Sequence, residues 1–190
     1  MRRLFLRGEI GCGKSTLIKT ALGGRIFEAG GFVTARVLDG GRLMGFELRG
    51  LSEIRGRRFL DFSGDGAERD DSVFTGYGAK LLGEAEEHSF AVLDEIGGLE
   101  LMLPEFYSAL TAFLETKTPC VGVLKSQRAA GELAGRMALG GDYLKKYLEF
   151  CELLQRDSET EILETFGRGD SNAAGALRLW ARRYGGASGD

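Results

Sequence analysis

One histidine in 190 residues leaves little room for a histidine-rich metal centre or an imidazole general base. That residue, His88, falls at the end of a helical pattern and reads as a surface group. Three cysteines, Cys12, Cys120 and Cys151, are odd in number and lack metal-ligand spacing. They argue against a disulfide framework and for reduced thiols. With only two prolines, the 30 glycines indicate tight turns between periodic segments rather than disorder. No apolar run approaches the roughly 18 residues of a membrane span, and Met1-Arg2-Arg3 leads into a strand pattern without a signal-peptide core. Net charge is −3, so no global basic surface points to nucleic acid. Together these features predict a cytoplasmic globular protein with no membrane partner. Its length fits one domain over residues 1–184, with 185–190 as a frayed tail.

What is present begins at residue 8. Gly8-Glu9-Ile10-Gly11-Cys12-Gly13-Lys14-Ser15 matches G-x-x-x-x-G-K-[ST] in full. An apolar run (Leu4, Phe5, Leu6) precedes it, and a helical pattern (Leu17, Ile18, Ala21, Leu22) follows. This is the strand, loop and helix that a phosphate-binding loop requires. Glycines let successive N–H groups turn inward, and the helix N-terminus adds partial positive charge. The expected phosphate cradle runs from Gly8 through Thr16. Lys14 is expected to reach the β- and γ-phosphates, and the Ser15 hydroxyl to ligate Mg²⁺. Cys12 lies beside a helix N-terminus, which can lower a thiol pKa; a small residue suited to a tight turn is the preferred reading over a redox switch.

Further on, Gly23-Gly24 marks the end of the first helix. Gly30–Leu38 and Arg42–Leu48 flank Asp39-Gly40-Gly41 and predict a β-hairpin, with Arg58–Phe62 as a third strand. Residues 63–72 read as a charged loop, followed by a helix carrying Phe74, Tyr77, Leu81, Leu82 and Ala85. Pro104 suits the first turn of another helix (Phe106, Leu110, Phe113, Leu114), and Pro119–Leu124 a buried strand. Ala130, Leu133, Ala134 and Met137 repeat at helical spacing, closed by Gly140-Gly141. Tyr147–Leu154 reads as a strand. Ser158-Glu159-Thr160-Glu161 matches a capping box and predicts a helix through Ile162, Leu163 and Phe166. A last helix presents Leu177, Trp180, Ala181 and Tyr184.

The second functional signal is Phe90-Ala91-Val92-Leu93-Asp94-Glu95. An unbroken apolar run suggests a strand buried on both faces of a parallel sheet, and it ends in two carboxylates. After a complete phosphate loop, this is the position of a metal-supporting aspartate, Asp94, and a water-orienting glutamate, Glu95. The alternation of strands and helices indicates an α/β fold: a mostly parallel sheet flanked by helices, of the RecA/ASCE-like P-loop NTPase type, with an inserted antiparallel hairpin. Right-handed crossovers bring both motifs to one sheet edge.

These residues resemble the THEP-type nucleoside triphosphatases, called cancer-related nucleoside triphosphatase in animals. The likeness runs from residue 3 to about 166. It rests on Gly8–Ser15, Gly30–Thr34, Gly45–Glu47 and above all Asp94-Glu95-Ile96-Gly97-Gly98-Leu99-Glu100. Gln155-Arg156-Asp157 stands where the family has an Asn-Arg-Asp-like stretch. The resemblance implies Mg²⁺-dependent hydrolysis of ATP, GTP and other nucleoside triphosphates to diphosphate and phosphate, with broad base tolerance and slow turnover.

Two other readings share this scaffold. A small-molecule or nucleotide kinase would use Lys125–Arg136 as a short lid and Asp61 or Asp65 toward an acceptor hydroxyl. A nucleotide-dependent switch or assembly factor would use slow hydrolysis as a timer and require a protein partner. A positive group for the γ-phosphoryl is expected from Arg36, Arg128 or Arg156, or from a partner's arginine, which is worth about 10³–10⁵-fold in rate.

Overall fold

Leu4, Phe5 and Leu6 have no exposed surface. The cause is their strand: β1 (Arg3–Gly8) runs parallel to β7 (Cys120–Lys125) on one side and to β8 (Thr160–Glu164) on the other. The computed structural model describes residues 1–64, 66–136 and 140–186. Asp65, Met137 and residues 187–190, part of the expected frayed tail, lie outside them.

The strands form one eight-stranded sheet in the order β5-β4-β3-β2-β6-β7-β1-β8. Strands β2 (Gly30–Asp39), β6 (Ala91–Ile96), β7, β1 and β8 are mutually parallel. Strands β3 (Arg42–Gly50), β4 (Arg57–Asp61) and β5 (Glu68–Arg69) extend the sheet antiparallel from β2. The predicted hairpin and its third strand are therefore an outward continuation of the main sheet. β2 approaches β6 closely at Gly31, whose φ is +89° and where a Cβ would fall 2.3 Å from the Val92 carbonyl oxygen.

Helices cover both faces, as the continuous burial along β1 demands. Leu4 and Leu6 face α1 (Lys14–Leu22) and α6 (Ser171–Tyr184), in a cluster with Leu17, Ile18, Leu177 and Trp180. Phe5 faces the opposite cluster, with α2 (Ala79–Glu84), α3 (Pro104–Glu115), α4 (Gln127–Arg136) and α5 (Gly140–Arg156). Asp170 caps α6 by accepting from the N–H groups of Asn172 and Ala173. Trp180 donates its indole N–H to the Arg2 carbonyl at 2.9 Å and so ties α6 to the start of β1. Among the described residues no helix is long and apolar enough to cross a membrane.

Four expectations are corrected. Tyr147–Leu154 is not a strand but the second half of α5. Its buried residues Tyr143, Tyr147, Phe150, Cys151 and Leu154 recur at intervals of three and four, one helical face. Local β preference of the aromatics hid that period, which shows once Tyr143 is included. Gly140-Gly141 accordingly opens α5 rather than closing α4. The capping-box match at Ser158–Glu161 opens no helix: Asp157 accepts from the Thr160 hydroxyl and from the Glu159 N–H, closing a turn from which β8 extends. Ile162 then packs on one face of the sheet and Leu163 on the other, as a strand requires, and Phe166 is left 92% exposed. The charged segment 63–72 also contains a short strand, β5.

The helical register of α5 is testable by truncation. Phe150→Ala should cost about 3–5 kcal/mol, whereas Leu148→Ala on the exposed face should stay within about 0.5 kcal/mol. Equal losses in urea unfolding would indicate a strand, which places both residues on the same side.

Candidate active site

The loop between β1 and α1 is shaped by glycine. Gly11 and Gly13 have φ of +79° and +101°, the left-handed region that L-residues avoid. Gly8 lies against the Thr165 carbonyl oxygen, which a Cβ would meet at 2.3 Å. Lys14 is buried, with its ammonium donating to the Gly8 and Glu9 carbonyl oxygens at 2.9 and 2.8 Å. These carbonyls hold the ammonium against the loop.

Parallel pairing of β1 with β7 and of β7 with β6 brings the carboxyl ends of β1 and β6 to the same edge. Ser15, the second residue of α1, there donates its hydroxyl to Asp94 Oδ1 at 3.0 Å. Asp94 is buried, and burial pushes its carboxyl up to about 6. The Ser15 hydrogen bond opposes that rise, Glu95 adds to it, and Lys19 and Lys14 oppose it from farther away. Glu95 is half-buried and accepts from the Lys125 ammonium at 3.1 Å.

The turn after β6 is locked from beneath. Glu100 is buried and accepts from the Gly97 and Gly98 N–H groups at 2.8 and 2.7 Å. Burial pushes the Glu100 carboxyl up, while these N–H groups and Lys125 oppose the rise. Helix α5 supplies two further anchors: Tyr143 donates to the Gly97 carbonyl at 2.8 Å, and Tyr147 to the Lys125 carbonyl at 2.7 Å. Helix α5 thus holds both strand ends that carry Glu95 and Lys125.

A cavity of about 470 Å³ lies over the loop. Lys14, Ser15, Thr16, Asp94 and Glu95 line it, together with Thr34 and Arg36 of β2, Lys125 and Arg168. Of the three expected arginines, Arg36 reaches this cavity. Arg128 pairs with Glu9 and Glu132 at the surface. Arg156 pairs with Glu152 on α5, and so is not placed at the loop. The arginine beside the loop is Arg168, which a Cβ on Gly13 would strike at 2.4 Å. It follows β8, and misreading β8 as a helix concealed its position; the Gly-Arg-Gly run at a strand's carboxyl end was the available signal. Asp61 is bound to Arg58 and the Ser63 N–H on β4, and is not among the residues lining the cavity.

A hydroxyl and a carboxylate oxygen at Ser15 and Asp94 are hard donors of the kind Mg²⁺ takes from protein when phosphate and water complete its shell. The fit is supported by Asp94 itself, a buried carboxylate whose side-chain bond is to a neutral hydroxyl. No cluster of three His, Cys, Asp or Glu able to hold a metal unaided exists among the described residues.

A glycine-shaped loop capping α1, with a Ser–Asp bridge to a strand two places away in a parallel sheet, defines a P-loop nucleotide-binding protein of the NTPase class. A sequence model of the family described as NTPase matches residues 3–139. The chain belongs to that family. It is similar to nucleoside-triphosphatase THEP1 of Thermofilum pendens, 33% identical over 153 residues that cover 73% of this chain and 82% of that one. The THEP1 of Natranaerobius thermophilus is 26% identical over 173 residues, 85% of each chain. In fold it resembles the crystal structure of THEP1 from Aquifex aeolicus (TM-score 0.61, 22% identity, covering 94% and 98% of the two chains). It also resembles the solution structure of a human cancer-related nucleoside triphosphatase (TM-score 0.61, 21% identity, full coverage of both).

The anchoring by α5 has a measurable consequence. Tyr143→Phe leaves the buried Gly97 carbonyl without its phenol donor and should lower unfolding stability by about 1–3 kcal/mol. No change in the urea midpoint would remove Tyr143 from this role.

Proposed function

We propose that this chain is a cytoplasmic, Mg²⁺-dependent nucleoside triphosphatase, active as one domain over residues 1–184, that converts ATP, GTP and other nucleoside triphosphates to diphosphate and phosphate. The observation that carries the reading is the 3.0 Å Ser15–Asp94 bond, with Glu95 next in the chain and Lys14 lining the same cavity. Membership of the NTPase family supports it.

In this mechanism the backbone N–H groups from Gly8 to Thr16, including those of Glu9, Ile10, Gly11, Cys12 and Gly13, cradle the phosphates. Lys14 exchanges the Gly8 and Glu9 carbonyls for β- and γ-phosphate oxygens, a charge-assisted replacement for two neutral acceptors. Ser15 and Asp94 would hold Mg²⁺, which supplies charge neutralisation to the phosphates when bound. Glu95 orients a water molecule and accepts its proton as the oxygen attacks the γ-phosphorus and the β–γ bridging oxygen leaves. Lys125 fixes the Glu95 carboxylate through its bond to Oε1. Arg36 and Arg168, which both line the cavity, offer positive charge there.

Glu95→Gln should retain affinity for a non-hydrolysable ATP analogue and lose about 10²–10⁴-fold in phosphate release. Undiminished release would take Glu95 out of the reaction. EDTA should abolish phosphate release from both ATP and GTP, and added Mg²⁺ should restore it; release that survives chelation would refute metal dependence.

A further inference from the structure

A second cavity, of about 180 Å³, adjoins the phosphate cavity beneath the antiparallel extension. Phe46, Phe59, Leu60, Phe74, Leu99 and Leu133 make its walls. The Phe59 and Phe74 rings meet edge to face with centroids 4.8 Å apart, and Phe46 lies nearly parallel to Phe59 at 6.3 Å. An engineered apolar cavity of about 150 Å³ with similar walls holds one benzene ring, whereas a water site needs only about 10–15 Å³ and polar partners. The chamber is therefore the size of one ring with a small substituent, and hydrolysis alone has no use for it.

Its polar end is the active site. Thr34, Phe46, Glu95 and Lys125 line both cavities, so a ligand seated on the phenylalanines would abut the Glu95 carboxylate. The charged groups at the rim are already matched: Arg69 pairs with Asp71, and Lys125 with Glu95. Glu100, which also lines the chamber, is held by the Gly97 and Gly98 N–H groups. Among the described residues no unmatched charge there asks for an ionised ligand, and the apolar walls disfavour one.

We propose that this chamber is a second-substrate site for a small neutral alcohol built on a single planar ring, whose hydroxyl replaces water at Glu95 and receives the γ-phosphoryl group. This rests on the placement of Glu95 and the triphosphate proposed above. The hydroxyl oxygen forms a bond to the γ-phosphorus, and the bond from that phosphorus to the β–γ bridging oxygen breaks. The hydroxyl proton passes to the Glu95 carboxylate and then to solvent. Nucleoside triphosphate and alcohol become nucleoside diphosphate, a phosphate monoester and a proton; nothing is oxidised or reduced. Phe46, Phe59 and Leu60 reach the chamber only because β3 and β4 extend the sheet beyond β2.

The test uses the full chain with MgATP and benzyl alcohol as the probe, with products followed by ³¹P NMR. Benzyl phosphate should form saturably with alcohol concentration, at the expense of inorganic phosphate. Leu133→Trp, which fills the chamber from α4, should lower the ester-to-phosphate ratio at least tenfold; Leu133→Phe serves if the tryptophan variant does not fold. Inorganic phosphate as the sole product overturns the proposal, whether or not the alcohol slows its release. Ester that rises linearly without saturation, at a ratio indifferent to residue 133, also overturns it. Phosphate release without alcohol is read separately. Its absence, with ester formed on adding alcohol, would sink the hydrolase reading and leave the acceptor site standing.

Discussion

Parallel pairing aligns the carboxyl ends of β1, β7 and β6 along one edge, and the chemistry depends on that alignment. Ser15 and Asp94 are far apart in the chain, yet a hydroxyl and a carboxylate oxygen come within 3.0 Å of each other. Neither residue achieves this locally. The phosphate loop is fixed by the end of β1, the acidic pair by the end of β6, and β7 sets the distance between them. A register slip at either pairing would move one group along the edge and reverse the face of every residue on the slipped strand. The fully buried side chains of β1, matched to different helix layers above and below the sheet, oppose such a slip.

The loop and the acidic pair were legible in the sequence because each is encoded within about eight consecutive residues. Phosphate binding by backbone N–H groups needs a fixed order of glycines before Lys14-Ser15, and a doubly buried strand needs an unbroken apolar run before Asp94. Fold class followed from the same logic, as did the hairpin at Asp39-Gly40-Gly41. The supporting shell was not legible. Tyr143 and Tyr147 act by donating to carbonyls of Gly97 and Lys125, partners distant in sequence. Nothing in the local pattern distinguishes such a tyrosine from one that merely packs.

The two misread segments failed for one physical reason. Around Tyr147 and around Ile162, short-range preference and tertiary packing point in opposite directions. Aromatic residues in α5 favour a strand locally but fill one helical face against the sheet. A capping-box pattern favours a helix after Ser158, but Asp157 instead closes a turn and is bound by Arg3 at 2.6 Å. Arg3 also donates to the Thr116 carbonyl, so the entrance to β8 is fixed by the start of β1 and the end of α3. Arg168 was lost with β8, since its place beside the loop follows from where that strand ends.

Glu95 occupies an unusual junction in this architecture. On one side it lines the polar cavity over the β1–α1 loop, and on the other an aromatic chamber made partly by the antiparallel strands. The antiparallel extension contributes none of the loop, acidic pair or Lys125; β3 adds Leu48 to the core, whereas β4 is at best half-buried and β5 is exposed. Phe59 and Leu60 of β4 nevertheless line the same chamber as Glu95. Phe59 packs on Phe74 at the margin of the main core and also lines the chamber that reaches Glu95, so this strand shapes what approaches that carboxylate. In the proposed reaction the parallel core would fix how the triphosphate is held, and the extension would govern which oxygen nucleophile reaches it.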